Sequence, residues 1–371
     1  MTEKSRVLIL TTAYLPEIGG SELAIKNITD RLPGIHFDLI TSRSSKKLLV
    51  CEKIGDVNVY RVGNSLGRIS FLLPKNFFPI AVFLKACQLI RQYGAYDVIH
   101  AYQASQAAGG GWLLKWRYSK IPFLVTVQEG KALNQQPWLM RFFRYLILRK
   151  ADAVTVISNY LAQHVRSQNS TVPISIIPNG VDLNKFRSGG DHNSKIIITV
   201  SRLVEKNGVA HLIKAMKKVT EKISDAKLII VGSGHEEKPL KQLSGNLGLK
   251  NSIEFAGEVP YADIPQYLAK ANVFVRPSLS EGLGSAFLEA MAADVAIIGT
   301  PVGGIPDFLK DRETGLFCEP GNPGDITDKI IEIMENNDLR RKLAENGKKL
   351  VEEEYSWDKI AKKFEDIYAR I

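Results

Sequence analysis

Val275-Arg-Pro-Ser-Leu-Ser-Glu-Gly-Leu-Gly-Ser-Ala-Phe-Leu-Glu-Ala-Met-Ala-Ala293 reads as a strand end, a Ser/Gly loop and a helix start in one stretch. The strand ends at Arg276–Pro277 and the helix begins near Gly284. Backbone N–H groups at that start, with the helix dipole behind them, suit an anion such as a phosphate. Glu281 falls in the loop and Glu289 one to two turns into the helix. At up to ~1.5 Å per residue the two carboxylates lie on the order of 10 Å apart. That separation suits a diphosphate at the helix start, a sugar beside Glu281 and a ribose beside Glu289. Eight-residue spacing alone says little, since Glu345 and Glu353 share it in an ordinary charged helix. The strand–glycine loop–helix context is what distinguishes the pair.

Outward from this stretch, short β-branched runs alternate with helix-length segments almost end to end. The runs are 6–12, 38–41, 57–62, 97–101, 123–128, 153–157 and 174–178, then 196–202, 227–232, 253–257, 273–277, 296–300 and 315–318. Most are continuously apolar, as expected of strands buried on both faces of a parallel sheet. Repeated βα units predict a doubly wound α/β fold. The polar stretch 184–195, with Gly and Ser, predicts a linker. The expected organisation is a Rossmann-like lobe over 1–183, a linker over 184–195 and a second Rossmann-like lobe over 196–355, the two facing across a cleft. The amphipathic tail 356–371, with Trp357, Ile360, Phe364, Ile367 and Tyr368 on one face, is expected to rejoin the first lobe.

Composition fits a folded chain of this size. The 371 residues are 45% hydrophobic and 24% charged, which excludes disorder, collagen-like repeats and coiled coil. No run approaches the ~18 apolar residues of a membrane-spanning helix, and the short apolar start is expected to be a strand, not a signal peptide. Cys51, Cys87 and Cys318 are odd in number and widely spaced, so a cytoplasmic chain without a disulfide framework is expected. The net charge of +10 is uneven: residues 1–200 hold 25 Lys+Arg against 12 Asp+Glu, and residues 201–371 hold 24 against 27. The first half is therefore expected to face something anionic.

Seven motifs in order resemble the retaining glycosyltransferases of family 4 (glycosyl transferases group 1), which have the two-lobed GT-B fold. Glu281 and Glu289 match the family's Glu-x7-Glu, and Pro16-Glu-Ile-Gly-Gly-Ser-Glu22 its Gly-Gly loop after the first strand. Ile177-Pro-Asn-Gly-Val-Asp182 and Val200-Ser-Arg-Leu-Val-Glu-Lys-Asn-Gly208 match further motifs, as do the stretches 228–234, 253–257 and 301–307. The resemblance implies transfer of a hexose from a UDP- or GDP-sugar to a hydroxyl acceptor, in glycolipid, cell-envelope polysaccharide or other glycan synthesis. It implies no cofactor, no metal and no nucleic-acid partner. Arg202 would neutralise the donor diphosphate, and arginine's fork suits phosphate oxygens. Glu281 and the backbone over Gly282, Leu283, Gly284 and Ser285 would hold the sugar and β-phosphate, and Glu289 the ribose. Gly19 and Gly20 would let the backbone approach the donor closely.

Two departures stand out. Asn207 occupies the position where the family usually has lysine and is taken as a donor-binding residue; either Lys206 beside it is the replacement cation or the charge is lost. Gln128, with Glu129 next to it, occupies the place of an acceptor-side histidine. Glutamine can hydrogen-bond a hydroxyl but cannot take its proton, so the leaving diphosphate is expected to do so on the front face. His100, at a strand end, is a further acceptor-side candidate; a packed or solvent-bonded histidine is the other reading. No Asp-x-Asp offers a metal clamp and no Gly-x4-Gly-Lys-Ser/Thr loop is present. A nucleotide-sugar 2-epimerase and a non-catalytic nucleotide-sugar binder are the alternatives, separated from a transferase by whether nucleoside diphosphate is released. Gly109-Gly110-Gly111 inside a helical stretch implies either close packing or a break. Basic and aromatic residues interleave over 137–150, with Arg141, Arg144, Arg149 and Lys150, and again over 112–120. This pattern fits either reversible docking on an anionic inner leaflet or helices that simply cover the sheet with their apolar faces and solvate their arginines.

Overall fold

The computed structural model describes residues 5–17, 19–63, 77–128, 137–168, 171–187 and 195–371. Two compact units are present, one formed by Met1–Asn179 with Trp357–Ile371 and the other by Gly180–Ser356. The first contains an eight-stranded sheet of β1 (Ser5–Leu10), β2 (Ile35–Ser42), β3 (Cys51–Ile54), β4 (Val57–Val62), β5 (Val98–Tyr102), β6 (Phe123–Val127), β7 (Ala153–Val156) and β8 (Ile174–Ile176). Its order is β3-β4-β2-β1-β5-β6-β7-β8, parallel except for the β3–β4 hairpin. β3 stands outside the expected strands. It is a half-exposed edge strand with no apolar run to mark it.

One face of this sheet is covered by the helices Gly20–Thr29 and Trp357–Arg370. Val7, Ile9, Phe37 and Leu39 pack there with Ile25, Ile28, Trp357, Ile360 and Phe364. Helix Gln106–Arg117 lies against the sheet close to helix Phe78–Tyr93. Close packing is the reason for its three glycines. A Cβ on Gly109 would meet Pro79, one on Gly110 Val82, and one on Gly111 Phe123 and Leu10.

The second unit holds a fully parallel sheet of β9 (Ile196–Val200), β10 (Lys227–Val231), β11 (Ile253–Gly257), β12 (Val273–Arg276), β13 (Ala296–Gly299) and β14 (Leu316–Phe317), ordered β11-β10-β9-β12-β13-β14. Leu212, Met216, Leu228, Ile230, Val273, Val275, Ile298, Ile326 and Ile330 form its main core. The change of unit falls at Asn179–Gly180, earlier than the expected linker. Val181 bridges Ser356, and Phe186 is buried against the Tyr261 ring at 5.7 Å, so residues 184–187 belong to the second unit. Residues 188–194 of the expected linker lie outside the described residues.

Candidate active site

In a doubly wound sheet, ligands bind beyond the C-terminal strand ends where the strand order reverses. In the second unit that point is between β9, which leads on to β10, and β12, which leads on to β13. The loop Ser201–Gly208 leaves β9 there, and the loop Pro277–Gly284 leaves β12. The two are tied together: the Leu279 N–H donates to the Lys206 carbonyl at 2.7 Å. Thr300, after β13, donates its hydroxyl to the Ser278 carbonyl at 2.6 Å. Arg202 is exposed and Lys206 half-buried on the first loop. Asn207 is not presented to a ligand in the way its donor-binding assignment implied. It is 3% exposed, and its Nδ2 donates to the Arg202 carbonyl at 2.7 Å. It thereby closes the turn that carries Arg202.

Glu281 is buried in the second loop. One carboxylate oxygen accepts the Gly282 N–H at 3.1 Å, and the other pairs with the Arg276 guanidinium. Gly284 follows at φ +94, caps the helix Ser285–Ala292 without a side chain, and sits where a Cβ would press on Phe287. Glu289 is half-buried in that helix and accepts a hydrogen bond from the Tyr261 hydroxyl at 3.1 Å. Desolvation pushes its carboxyl up to about 7, against the opposing pull of Tyr261 and Arg276. Burial also lowers Arg276 to about 10, with the neighbouring Arg202 charge acting in the same direction. Arg202, Lys206, Glu281, Glu289 and the Gly282–Ser285 backbone thus all belong to the strand-end loops of β9 and β12 or to the helix that follows.

In the first unit the strand order reverses between β1 and β5. Gly19 caps the helix Gly20–Thr29 after β1. A Cβ on Gly20 would lie 3.9 Å from the Asn179 amide, and Gln128 donates to the Asn179 Oδ1 at 3.2 Å. Gly20, Gln128 and Asn179 therefore form one group. His100 does not join it. It is fully buried, its Nδ1 is 2.8 Å from the Tyr368 hydroxyl and its Nε2 is 2.6 Å from Thr126 Oγ1. Burial pushes its pKa down to about 3, so it is a neutral core histidine and not an acceptor-side residue. Glu129 lies outside the described residues.

Residues 18–185 match Glycosyltransferase Family 4, and residues 181–350 match Glycosyl transferases group 1. An uncharacterized glycosyltransferase of Methanocaldococcus jannaschii is 31% identical over 99% of both chains. The chain belongs to glycosyltransferase family 4. N-acetyl-alpha-D-glucosaminyl L-malate synthase of Bacillus anthracis is 28% identical over 96% of this chain and 95% of its own length. Among solved structures, Anabaena HepE in complex with UDP superposes with a TM-score of 0.82 at 19% identity, covering 99% of this chain and 100% of that one. The two Rossmann-like units are those of a GT-B glycosyltransferase.

Three residues of this glycosyltransferase escaped the motif reading. Arg276 carried a signal, being a charge at the end of an otherwise apolar strand. Asn179 lay inside a quoted motif, but without a role. Tyr261 had no local signal, because it reaches Glu289 across 28 positions of sequence.

Proposed function

We propose that this family 4 enzyme is a retaining hexosyltransferase that uses a UDP- or GDP-sugar and a hydroxyl acceptor in glycolipid, envelope polysaccharide or other glycan synthesis. The observation that carries the reading is the hydrogen-bonded pair of loops at the β9/β12 switch point, one bearing Arg202 and Lys206 and the other Glu281. Arg202 and Lys206 neutralise the diphosphate without recourse to a metal. Glu281 and the backbone over Leu283–Ser285 hold the sugar, and Glu289 accepts from ribose hydroxyls. Gln128 hydrogen-bonds the acceptor hydroxyl. The bond from the sugar's anomeric carbon to the phosphate oxygen breaks as the acceptor oxygen bonds the same face. The acceptor's proton passes to the departing phosphate oxygen. The UDP held by the Anabaena structure supports a nucleotide-sugar donor. Incubation with labelled UDP- and GDP-sugars should release UDP or GDP and give a product of unchanged anomeric configuration. Epimerised donor with its nucleotide still attached, or binding without release, would overturn the proposal.

The same reading places the first unit on the inner membrane leaflet as a peripheral protein. Trp138, Leu139, Met140, Phe142 and Phe143 are all exposed at the start of the helix Trp138–Lys150, with Arg141 and Arg149. Trp116 is 66% exposed, and the Lys150 ammonium lies 4.6 Å from its ring centroid. Exposed aromatics beside basic groups suit an anionic interface. The expected basic face is smaller than the sequence implied. Arg144 is buried, and Lys115 is buried against Asp152 at 2.6 Å. Among the described residues no helix is long and apolar enough to cross a membrane. Co-sedimentation with phosphatidylglycerol vesicles should fade as salt rises. Equal binding to neutral vesicles would remove the electrostatic part.

A further inference from the structure

We infer that Arg276 is a positioning residue for Glu281, fixing the orientation of that carboxylate and cancelling its charge before a diphosphate arrives. The inference rests on the donor-site reading above and adds to it a residue that the family motif does not contain.

β12 is buried throughout: Val273, Phe274 and Val275 are fully buried, and Arg276 is 8% exposed. A guanidinium at such a position costs desolvation that only a well-matched partner offsets. Its Nη2 pairs with Glu281, its Nε donates to Ser278 Oγ at 3.3 Å, and its plane lies 5.7 Å from the centroid of the Phe287 ring. These contacts fix the fork in two directions. Glu281 is gripped from its other side by the Gly282 N–H at 3.1 Å. The carboxylate is therefore held at both oxygens, with the arginine buried behind the loop and not extended from it.

The charge arrangement gives this pairing a function beyond packing. The loop after β12 and the helix that follows it present two acids, Glu281 and Glu289, where a diphosphate is to bind. An uncompensated buried carboxylate there repels the ligand, and Arg276 removes that repulsion while leaving Arg202 and Lys206 to the phosphates. Lysine preserves the charge but not the fork geometry. A purely structural ion pair would yield to apolar replacement with no specific effect on nucleotide affinity.

The test is a double-mutant cycle with Arg276→Met, Glu281→Gln and both together, plus Arg276→Lys. It is read by titration with UDP and GDP and by donor turnover. Arg276→Met should weaken the nucleoside diphosphate by about tenfold or more, because it bares the Glu281 charge. The double variant should recover affinity to within about threefold of wild type, and its turnover should be no lower than that of Glu281→Gln alone. Arg276→Lys should keep nucleotide affinity and lose turnover by about tenfold. If Arg276→Met does not fold, the double variant and Arg276→Lys decide the matter, since the first removes the Glu281 charge and the second keeps a cation beside it. Multiplicative losses in turnover, or affinity unrestored in the double variant, overturn the positioning role. Failure of the wild-type chain to release UDP or GDP from any donor overturns the functional reading instead, and the positioning role with it.

Discussion

Gly303→Ala should disable the site from a distance of more than twenty residues in sequence. Gly303 lies after β13 at φ +58, and a Cβ built on it would overlap the carbonyl oxygen of Glu281. The adjacent Gly304 N–H donates to that same oxygen at 3.4 Å. Two costs arise. Holding alanine in the left-handed region costs about 1–2 kcal/mol. The overlap adds to this, and no rotamer change relieves it because the obstructing atom is backbone. The Glu281 loop must then retreat by on the order of 1 Å, a misplacement worth about 10²-fold in rate. A total loss of about 2–3 kcal/mol lowers Tm by roughly 5–10 °C for a unit of this size. Nucleoside diphosphate release and calorimetry measure the two effects. Gly248→Ala is the control, since Gly248 has φ +73 but no atom within 4 Å of its built Cβ. It should lose about 1 kcal/mol and retain wild-type turnover. Wild-type turnover in Gly303→Ala, with a Tm loss equal to that of the control, would refute the reasoning.

Three further outcomes are expected. Glu281→Gln and Arg202→Ala should each lower turnover by more than about tenfold in the release assay, as groups acting at the reacting centre. Lys206→Ala should raise the donor KM with little change in Tm, whereas Asn207→Ala should lower Tm by losing the bond that closes the Arg202 turn, worth about 1 kcal/mol. For Glu289, burial raises the carboxyl from its ordinary 4.5 to about 7. The folded chain therefore keeps a proton that the unfolded chain has released, so stability falls as pH rises from 4.5 to 7. Nucleotide affinity should climb as pH rises through about 7, where the folded carboxyl ionises and becomes the better acceptor. Calorimetry against pH should show a slope that Glu289→Gln flattens, and a slope of opposite sign would contradict the assignment.

Most strands of both sheets were legible because parallel strands buried on two faces carry runs of apolar residues, as at 196–198 and 228–231. β3 was not, because an antiparallel edge strand needs no such run, and Cys51–Ile54 alternates exposed and half-buried positions. The Glu281 and Glu289 positions were legible from a local strand–loop–helix pattern. Their electrostatic surroundings were not, since Tyr261 and Arg276 act through contacts that only folding makes. His100 illustrates the same limit. A polar residue at a strand end marks a site or a satisfied core group with equal force, and the Tyr368 hydroxyl that decides between them comes from the distant tail helix.

The charge distribution carries a related lesson about scale. The excess positive charge lies in residues 1–200, yet the groups assigned to the donor diphosphate lie in residues 201–371, where acids outnumber bases by three. Net charge therefore does not locate the anion site. On the proposed reading, the site lies with the local pairing at the ends of β9 and β12, where Arg276 is matched to Glu281 and Arg202 stands exposed. A few ordered guanidinium groups at one strand end exceed, at contact distance, a diffuse charge that salt screens within about 8–10 Å. The first unit's excess is then available for a different role. Four of its exposed aromatics, Trp116, Trp138, Phe142 and Phe143, share two helices with Arg141, Arg149 and Lys150, a combination that suits an interfacial surface and that a soluble donor does not need. Raising salt should accordingly weaken vesicle binding well before it weakens nucleotide binding, because the first depends on exposed charges acting at a distance and the second on ordered groups at contact.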